Sequence, residues 1–360
     1  MKYKFNPFIT LYYSLEKQAL VLFEPIKKKV FEIEKNLFLD LVKSGEGGLS
    51  KQEIEEKIRK LLKIKKEQSS ELVESLIQSD ILSKQTNLLK LLEKKKEEWF
   101  SYGWGSSFYY HLASKDFKFL DYSKTSEILK DQDLMKEYVK ESKPPAIYKE
   151  YKKSKFYPLI DPKKLKVVKF SPNSKINGGM NLESLSYILY YTFGEIFSAN
   201  FPVVGKILAK TSPSGGARHP SEAYVLVLKD IGIPKGVYHY SVKRNGLEFL
   251  SKIDEKGELK KQFYKTTHIQ NFNPEVIIVV STIFERNMWR YREIRTFRVI
   301  FFDIGHLLST LRIIVGSLGL DVLINHSFND SYVQRLLSLT NGRERPLYCA
   351  IIGNNKKGCK

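Results

Sequence analysis

The chain has 360 residues, of which 42% are hydrophobic and 13% aromatic, and this composition excludes a disordered protein. It holds no run of 18 or more uncharged apolar residues. Its first 15 residues lack an apolar core followed by a small-residue cleavage site. The sequence therefore predicts neither a membrane span nor a signal peptide. Cys349 and Cys359 are the only cysteines, too few for a disulfide framework or a cysteine-based metal cluster, and they favour a reduced, cytoplasmic setting without a bound metal.

The formal net charge is +20, and most of it falls on residues 161–360, which hold 29 of the 60 basic and 16 of the 40 acidic side chains. A positive field of this kind favours anionic partners, such as a cofactor phosphate, an acidic peptide or nucleic acid. A lysine-rich background composition explains the charge equally well.

The first 85 residues predict a small α+β domain. Alternating patterns indicate strands over 8–15, 20–25 and 28–33, and a helix begins near Lys35 and stops at the glycines around 45–48. Ser50 followed by Glu53 is a capping-box start for a second helix, and an apolar stripe over 72–77 marks a third. Short strands with three helices predict a winged-helix-like arrangement.

This order of elements resembles the PqqD-like precursor-recognition domains of ribosomal-peptide modification enzymes, on the segments LVLFEPIKKKVFEIEKN, SKQEIEEKIRKLL and SSELVESLIQSDILSKQ. The resemblance implies that the leader of a precursor peptide adds as a strand beside the sheet. The alternatives are a DNA-binding winged helix and a dimerisation module. A DNA reader concentrates basic charge on its recognition helix, whereas this segment is nearly neutral, so we expect no nucleic-acid partner.

Residues 86–160 form a predicted connector, with a charged amphipathic helix, an aromatic stretch that includes His111, and a proline-marked extended segment. Residues 161–360 predict a second domain with a mixed sheet flanked by helices. It has a helix over 181–194, strands over 222–229, 236–241, 274–284 and 346–353, and a buried core helix over 297–320. The predicted fold class is therefore α+β.

The segment TSPSGGARHPSEAY at 211–224 contains a turn whose glycines let the backbone approach a flat ligand, although a Ser/Gly-rich loop is more often a plain connector. The segment resembles a signature of the SagB-like and azoline-dehydrogenase branch of the nitroreductase superfamily. Two further blocks, RNMWRYREIRTFRVIFFDIGHLLSTLRIIVGSLGL and SFNDSYVQRLLSLTNGRERPLYCAIIG, resemble later blocks of that branch in the same order.

The resemblance implies a nitroreductase-type domain that forms a homodimer and binds FMN, with NAD(P)H as electron donor. It also places one group of residues at the cofactor. In many relatives a sequence motif holds the FMN phosphate, and this chain matches that motif only poorly, with Lys169, Ser171 and Lys175 at the corresponding positions. The full cofactor-binding set is Ser212, Pro213, Ser214, Gly215, Gly216, Arg298, Lys169, Ser171 and Lys175.

Azoline dehydrogenases carry a Lys-Tyr pair, and the matching residues here are Arg290 and Tyr291. Arginine stays protonated and is a poor general base. An Arg-Tyr pair suits the opposite reaction, the reduction of dehydroalanine or dehydrobutyrine in lanthipeptide pathways, in which Tyr291 protonates the α-carbon and the cation stabilises an enolate-like intermediate.

Purely structural roles are alternatives to these catalytic ones. Arg290 could simply pair with Glu285 or Glu293 at helical spacing. His219 is a candidate acid or, equally, a strand-entry residue bonded to backbone. Asp303 and His306 in the core helix are expected to be structural.

Three functions stay open on the sequence. The first is an FMN-dependent reductase of dehydroamino acids in a peptide, with D-amino acids as products. The second is an azoline dehydrogenase that forms thiazole or oxazole rings. The third is a non-catalytic peptide-binding subunit that has kept the fold.

Overall fold

The computed structural model describes residues 2–43, 48–84, 86–164, 179–201, 203–253, 256–263, 272–339 and 342–355. The chain divides into two compact units, residues 1–118 and 119–360. The predicted connector at 86–160 is thus shared between the two units.

The first unit contains two three-stranded antiparallel sheets and five helices among its described residues. Its elements are β1 (Lys2–Phe5), β2 (Thr10–Ser14), β3 (Ala19–Glu24), β4 (Lys29–Ile33), α1 (Lys35–Lys43), β5 (Leu49–Ser50), α2 (Lys51–Leu62), α3 (Lys66–Gln78), β6 (Leu82–Lys84), α4 (Asn87–Ser101) and α5 (Gly105–Ser114).

The three strands and three helices predicted for this unit are confirmed. Strands β2, β3 and β4 form one meander, and the predicted capping box starts α2: Ser50 Oγ accepts the Glu53 N–H at 3.3 Å, and the Glu53 carboxylate accepts the Ser50 N–H at 2.7 Å. Leu22, Ile58 and Val73 lie at the centre of a core that joins these strands to the helices. A second sheet, with the order β5-β1-β6, was not predicted because its strands are too short for a periodic pattern.

The second unit contains a seven-stranded sheet, a two-stranded hairpin and six helices among its described residues. Its elements are α6 (Thr125–Glu141), β7 (Phe156–Pro158), α7 (Leu182–Phe193), β8 (Glu195–Phe201), β9 (Gly205–Lys210), β10 (Ser221–Val227), β11 (Gly236–Ser241), β12 (Gly246–Ser251), α8 (Lys256–Phe263), β13 (Phe272–Ile283), α9 (Glu285–Met288), α10 (Thr296–Ser317), β14 (Asp321–Asn325), α11 (Asp330–Leu336) and β15 (Glu344–Asn355).

The large sheet has the strand order β14-β15-β13-β10-β11-β12-β7. The predicted α+β class is confirmed, but every described pairing in this sheet is antiparallel, whereas the sequence analysis expected a mixed sheet. The strands β10, β11 and β12 follow one another through short turns, and short turns can join only antiparallel neighbours.

Strand β13 is buried on both faces, as its continuous apolar sequence predicted. Val276 and Ile278 pack on one face of the sheet against helices α7 and α10, whereas Ile277 and Val279 pack on the other face with residues of α8 and α11. Two apolar layers therefore enclose the sheet. The segment after β9 leads directly into β10, which is the central strand of the sheet.

Helix α10 is long and apolar enough, by length and composition, to cross a membrane. One face of it packs into the sheet core through Ile300, Ile304, Leu311 and Val315. This packing agrees with the buried core helix predicted from the sequence. Its opposite face carries Phe302, which is 63% exposed.

Candidate active site

The glycine-containing segment 211–219 lies between the hairpin strand β9 and the central strand β10. Its first serine is turned inward: Ser212 is buried and its hydroxyl donates to the carbonyl of Thr192, at the end of α7, at 2.7 Å. The Thr211 hydroxyl donates to the Tyr190 carbonyl at 3.1 Å. The segment is therefore fixed to the end of α7 before its glycines begin.

Asp303 of helix α10 holds the second serine. Its carboxylate accepts the Ser214 hydroxyl at 2.6 Å and the Gly215 N–H at 3.0 Å. Burial raises the pKa of Asp303, although these two hydrogen bonds act in the opposite direction. Asp303 therefore has a structural role, as the sequence predicted: its carboxylate attaches the loop to the core helix α10.

The two glycines stand where side chains would not fit. A Cβ on Gly215 would overlap Val299 of α10, and a Cβ on Gly216 would overlap the hydroxyl of Tyr291. Gly216 also has a φ of +60°, which favours glycine. The loop therefore packs between α10 and Tyr291, and the Tyr291 hydroxyl lies against its exposed glycine.

Arg290 lies over the ring of Tyr291, with its guanidinium carbon 4.8 Å from the ring centroid. Its Nη2 donates to both carboxylate oxygens of Asp131 in α6, each at 2.7 Å. The partners considered from the sequence are engaged elsewhere. Glu285 pairs with Arg343, and Glu293 accepts the Arg295 N–H at 2.6 Å.

His219 is buried and follows the loop directly. Its Nε2 lies 3.0 Å from the Leu208 carbonyl of β9, and because a carbonyl only accepts, Nε2 carries the proton. Burial, together with the nearby Lys210 charge, lowers the pKa of His219 to about 3. The ring is thus neutral near pH 7 and has the backbone contact of the strand-entry alternative, a geometry that does not suit an acid.

A chain of buried charges lies beside the loop. Arg286 donates to the His219 carbonyl at 2.9 Å and pairs with Glu222 at 2.6 Å. Glu222 contacts His239 at 3.1 Å, and the other ring nitrogen of His239 contacts Glu248 at 2.8 Å. Burial opposes both charged forms, yet Arg286 holds the pKa of Glu222 well below its usual range, and the two carboxylates raise the pKa of His239. The loop is therefore supported by buried side chains of opposite charge that pair with one another.

Lys210, the last residue of β9, lines a small cleft under the loop together with Ser214, His219 and Asp303. Burial lowers its pKa to about 8, although the neighbouring Glu222 acts against this shift. Near pH 7 Lys210 is therefore still mostly protonated, but it loses its proton more readily than an exposed lysine does.

The structure brings most of the predicted site residues together. The loop 212–216 contacts Tyr291 and the first turns of α10, where Arg298 precedes the Val299 that packs on Gly215. Arg290 contacts the same group of residues through the ring of Tyr291. His219 contacts the loop because its backbone N–H donates to the Ser214 hydroxyl at 2.9 Å. The proposed phosphate ligands Lys169, Ser171 and Lys175 lie outside the described residues.

A flat cofactor fits the loop through its backbone and not through its hydroxyls. Pro213 and Gly216 are exposed, and the N–H of Ser214 has no partner among the residues that the structure describes. Ser212 and Ser214 belong to the predicted cofactor-binding set, and the structure uses their hydroxyls to hold the loop. A glycine-bearing surface with the Tyr291 hydroxyl at its side lets a flat ring system such as an isoalloxazine approach the backbone.

Several residues of this site were missed by sequence reasoning. Asp131 and Lys210 lie outside the three blocks that resemble the nitroreductase superfamily and carry no motif of their own. Glu222 and Arg286 stand within two of those blocks, but the sequence assigned no role to either of them. Glu222 gave a further signal, as a charged residue at the start of an otherwise apolar predicted strand.

Residues 198–354 match the sequence profile of the nitroreductase family. The trifolitoxin-processing protein TfxB of Rhizobium leguminosarum bv. trifolii is 30% identical over 244 residues, which cover 64% of this chain and 65% of TfxB. A protein of Methanocaldococcus jannaschii that is named as a nitroreductase is 27% identical over 48% of this chain and 81% of its own length. The chain therefore spans slightly less than two thirds of TfxB.

Two solved structures are similar at low identity. A nitroreductase-type protein from Anabaena variabilis is 22% identical, covers 62% of this chain and 45% of its own, and has a TM-score of 0.49. A chain of the E. coli microcin synthetase McbBCD complex is 20% identical over 64% of this chain and 92% of its own, with a TM-score of 0.42.

The family match spans strands β9 to β15, and thus includes the loop, Tyr291 and helix α10. The three sequence blocks that suggested the nitroreductase superfamily all fall at or beyond the start of this match. Residues 198–354 thus form a region of nitroreductase fold that matches the nitroreductase family in sequence.

Proposed function

We propose that the chain is an FMN-dependent oxidoreductase that uses NAD(P)H to reduce dehydroalanine or dehydrobutyrine in a ribosomally made precursor peptide, as in lanthipeptide maturation. The observation that carries the proposal is the contact of Tyr291 with the glycine loop, with the Arg290 cation over its ring. This arrangement offers a proton donor and a fixed positive charge at the surface where a flat cofactor fits.

FMN, when bound, would supply the hydride. The backbone of 213–216 would carry its ring system, Arg298 would help to hold the cofactor, and Lys169, Ser171 and Lys175 are the proposed ligands of its phosphate. Asp303 and Arg286 would act behind the loop, since they hold Ser214, Gly215 and the His219 carbonyl in place.

The Arg290–Tyr291 pair supports the proposed reductive direction. Arg290 forms an ion pair with Asp131, and an arginine side chain stays protonated and cannot serve as a base. A reduction needs no base: the Tyr291 hydroxyl donates its proton to the α-carbon, and Arg290 stabilises the negative charge that develops on the adjacent carbonyl oxygen. The oxidative formation of azoles would need a group that removes the α-proton, and the pair does not offer one.

His219 has no proton-transfer role in this proposal. With its pKa lowered to about 3 and its N–H given to a backbone carbonyl, its ring supports the loop. We therefore assign the proton to Tyr291 alone.

A peptide substrate is supported by the first unit and by one relative. TfxB is named for the processing of trifolitoxin. In the first unit, β2 is an edge strand that pairs with β3 only, among the described residues, and it exposes Leu11, Tyr12 and Tyr13. We propose that the leader of the precursor peptide pairs with this edge, beside the shallow groove that Tyr13 shares with Phe38 of α1.

A homodimer is supported by helix α10. Its face away from the sheet core exposes the large apolar side chains Phe301, Phe302 and Ile313, and exposed apolar side chains on one helix favour an interface. We propose that a second copy covers this face. Sedimentation of the purified protein tests this: a dimer is expected, and a monomer at micromolar concentration would contradict it.

The chemical proposal is tested by reconstituting the protein with FMN and following NADPH oxidation with and without a dehydrated precursor peptide. We expect a yellow protein whose NADPH oxidation is stimulated by the dehydrated peptide and not by its undehydrated form. A colourless protein that cannot take up FMN would instead support a non-catalytic peptide-binding subunit.

A further inference from the structure

We propose that Asp131 of helix α6 is a positioning residue, which fixes Arg290 over Tyr291 and so sets the place of the Tyr291 hydroxyl at the glycine loop. The proposal rests on the reductive function proposed above, because it assigns Asp131 a part in that proton transfer.

The first step is the contact between Asp131 and Arg290. One guanidinium nitrogen of Arg290 donates to both carboxylate oxygens at 2.7 Å, and the two side chains are only 16% and 12% exposed. The Tyr122 hydroxyl donates to the same carboxylate at 3.3 Å. A charge-assisted contact that is largely shielded from water and held from a third side fixes the guanidinium more firmly than an exposed ion pair would.

The second step leads from Arg290 to the loop. The guanidinium lies 4.8 Å from the centre of the Tyr291 ring, and the hydroxyl at the far end of that ring lies against Gly216. The ring is thus confined between a cation held by Asp131 and a glycine held through Gly215 by Asp303. If the cation moves, the ring loses one of these two contacts.

The third step is a second attachment of the same helix on the other side of Tyr291. Arg292 pairs with Glu141 and lies 3.6 Å from the centre of the Tyr138 ring. The Trp289 indole N–H donates to the Ser142 hydroxyl at 3.0 Å. Helix α6 and the residue after it therefore hold the segment 289–292 at both ends, and Asp131 is the contact that bears on the central pair.

The fourth step concerns what Arg290 has left to offer. Asp131 occupies Nη2, whereas Nη1 and Nε have no hydrogen-bond partner among the residues that the structure describes. These two donors are available to a carbonyl oxygen that gains negative charge. Asp131 thus aims the guanidinium without consuming all its donors.

The test compares Asp131→Asn with the conservative Asp131→Glu and with the control Asp133→Asn. Asp133 lies on the same helix and pairs with Lys136 at the surface. We expect Asp131→Asn to lower kcat on a dehydrated peptide roughly 10-fold to 100-fold with KM nearly unchanged, because a small displacement of a reacting group has an effect of that size. Asp131→Glu should recover part of this loss, and Asp133→Asn should have no effect.

A double-mutant cycle separates positioning from a general loss of stability. In the background of Arg290→Ala, Asp131→Asn should cause no further loss of kcat, since the group through which it acts is gone. An equal loss in both backgrounds, or a loss that accompanies a fall in thermal stability and FMN content, would overturn the proposal.

A readout without turnover keeps this result apart from the proposed function. With 3-fluorotyrosine in place of Tyr291, the fluorine resonance should shift or broaden in Asp131→Asn and stay unchanged in Asp133→Asn. An unchanged resonance in Asp131→Asn overturns the positioning role whatever the substrate is. A shifted resonance in a protein that reduces no dehydrated peptide supports the positioning and refutes the function.

Discussion

The glycine loop at 211–219 and the strand meander at 10–33 differ in how they are held. The loop is fixed by polar contacts from distant parts of the second unit, through Asp303, Arg286 and the end of α7. The meander is fixed by local pairing and an apolar core, and it leaves an edge strand with exposed aromatic side chains.

This difference matches what each region is proposed to do. A reaction needs a few groups held to within a fraction of an ångström, and buried polar contacts supply such precision. Recognition of an extended peptide needs an open strand edge, which polar clamps would close. Substitutions in the loop should therefore act on turnover and stability, and substitutions at the edge on peptide affinity alone.

The largest effect is expected for Arg286→Leu. The change leaves Glu222 buried without its strongest partner and releases the His219 carbonyl. We expect a loss of about 3–5 kcal/mol in the free energy of unfolding, measured by urea denaturation. The control is Arg343→Ala, which removes an exposed pair with Glu285 and should cost under about 1 kcal/mol. Equal losses of unfolding free energy in the two variants would show that the buried ion pair of Arg286 with Glu222 does not hold the loop.

Tyr291→Phe should have the next largest effect. It removes the proposed proton donor but keeps the ring between Arg290 and Gly216. We expect kcat on a dehydrated peptide to fall roughly 100-fold or more, with FMN content and melting temperature preserved. Unchanged turnover would remove Tyr291 from the mechanism.

His219 gives the loop a pH-dependent stability. Burial lowers its pKa to about 3, so below about pH 6.5 the unfolded chain binds a proton that the folded chain does not, and stability falls as the pH falls. Between pH 7.5 and pH 5 we expect wild type to lose roughly 2 kcal/mol relative to His219→Gln. The comparison cancels His239, whose raised pKa acts in the opposite sense and is present in both proteins. A constant difference between the two proteins would contradict the buried neutral ring.

Gly216→Ala should have a smaller effect, which a matched glycine can dissect. Gly216 has φ +60° and contacts the Tyr291 hydroxyl, whereas Gly179 has φ +62° and no atom of the described residues within 4 Å of where a Cβ would stand. Both changes should lose about 1 kcal/mol of stability from backbone strain. Only Gly216→Ala should also lower kcat, by about 10-fold, since it displaces Tyr291. A similar loss of kcat in Gly179→Ala would mean that strain alone explains the result.

The smallest effect is expected at the edge of the meander. Tyr13→Glu on β2 should weaken binding of the full-length precursor by about 1 kcal/mol, measured by fluorescence anisotropy, and should leave turnover of a leaderless peptide unchanged. Val30→Glu on the opposite edge strand, β4, is the matched control, because Val30 is similarly exposed. A stronger effect of Val30→Glu would move the leader to the other edge.

Local patterns predicted most of the fold. The alternation of apolar and polar residues predicted β2, β3 and β4, and the Ser50–Glu53 capping box predicted the start of α2. The helical spacing of apolar residues predicted α10. The hairpin β8–β9 and strand β14 were missed, and helix α6 was not recognised within the charged connector. Short or half-exposed elements of this kind are defined by their neighbours in space and not by their own periodicity.

The site was predicted only where a motif marks it. The loop 212–216 and the Arg290–Tyr291 pair stand in recognisable blocks, and the structure places them in contact through Gly216. The partner of Arg290 was sought at helical spacing, yet it is Asp131, which is 159 positions away. A sequence gives no distance between residues so far apart, so the charges that hold a site cannot be derived from it.

The most direct test of the central claim is the mass of a dehydrated precursor peptide after incubation with the FMN-loaded protein and NADPH. The account predicts a gain of two hydrogens for each dehydroalanine or dehydrobutyrine that reacts, and no gain with Tyr291→Phe. A loss of two hydrogens from a peptide that carries azoline rings would contradict it.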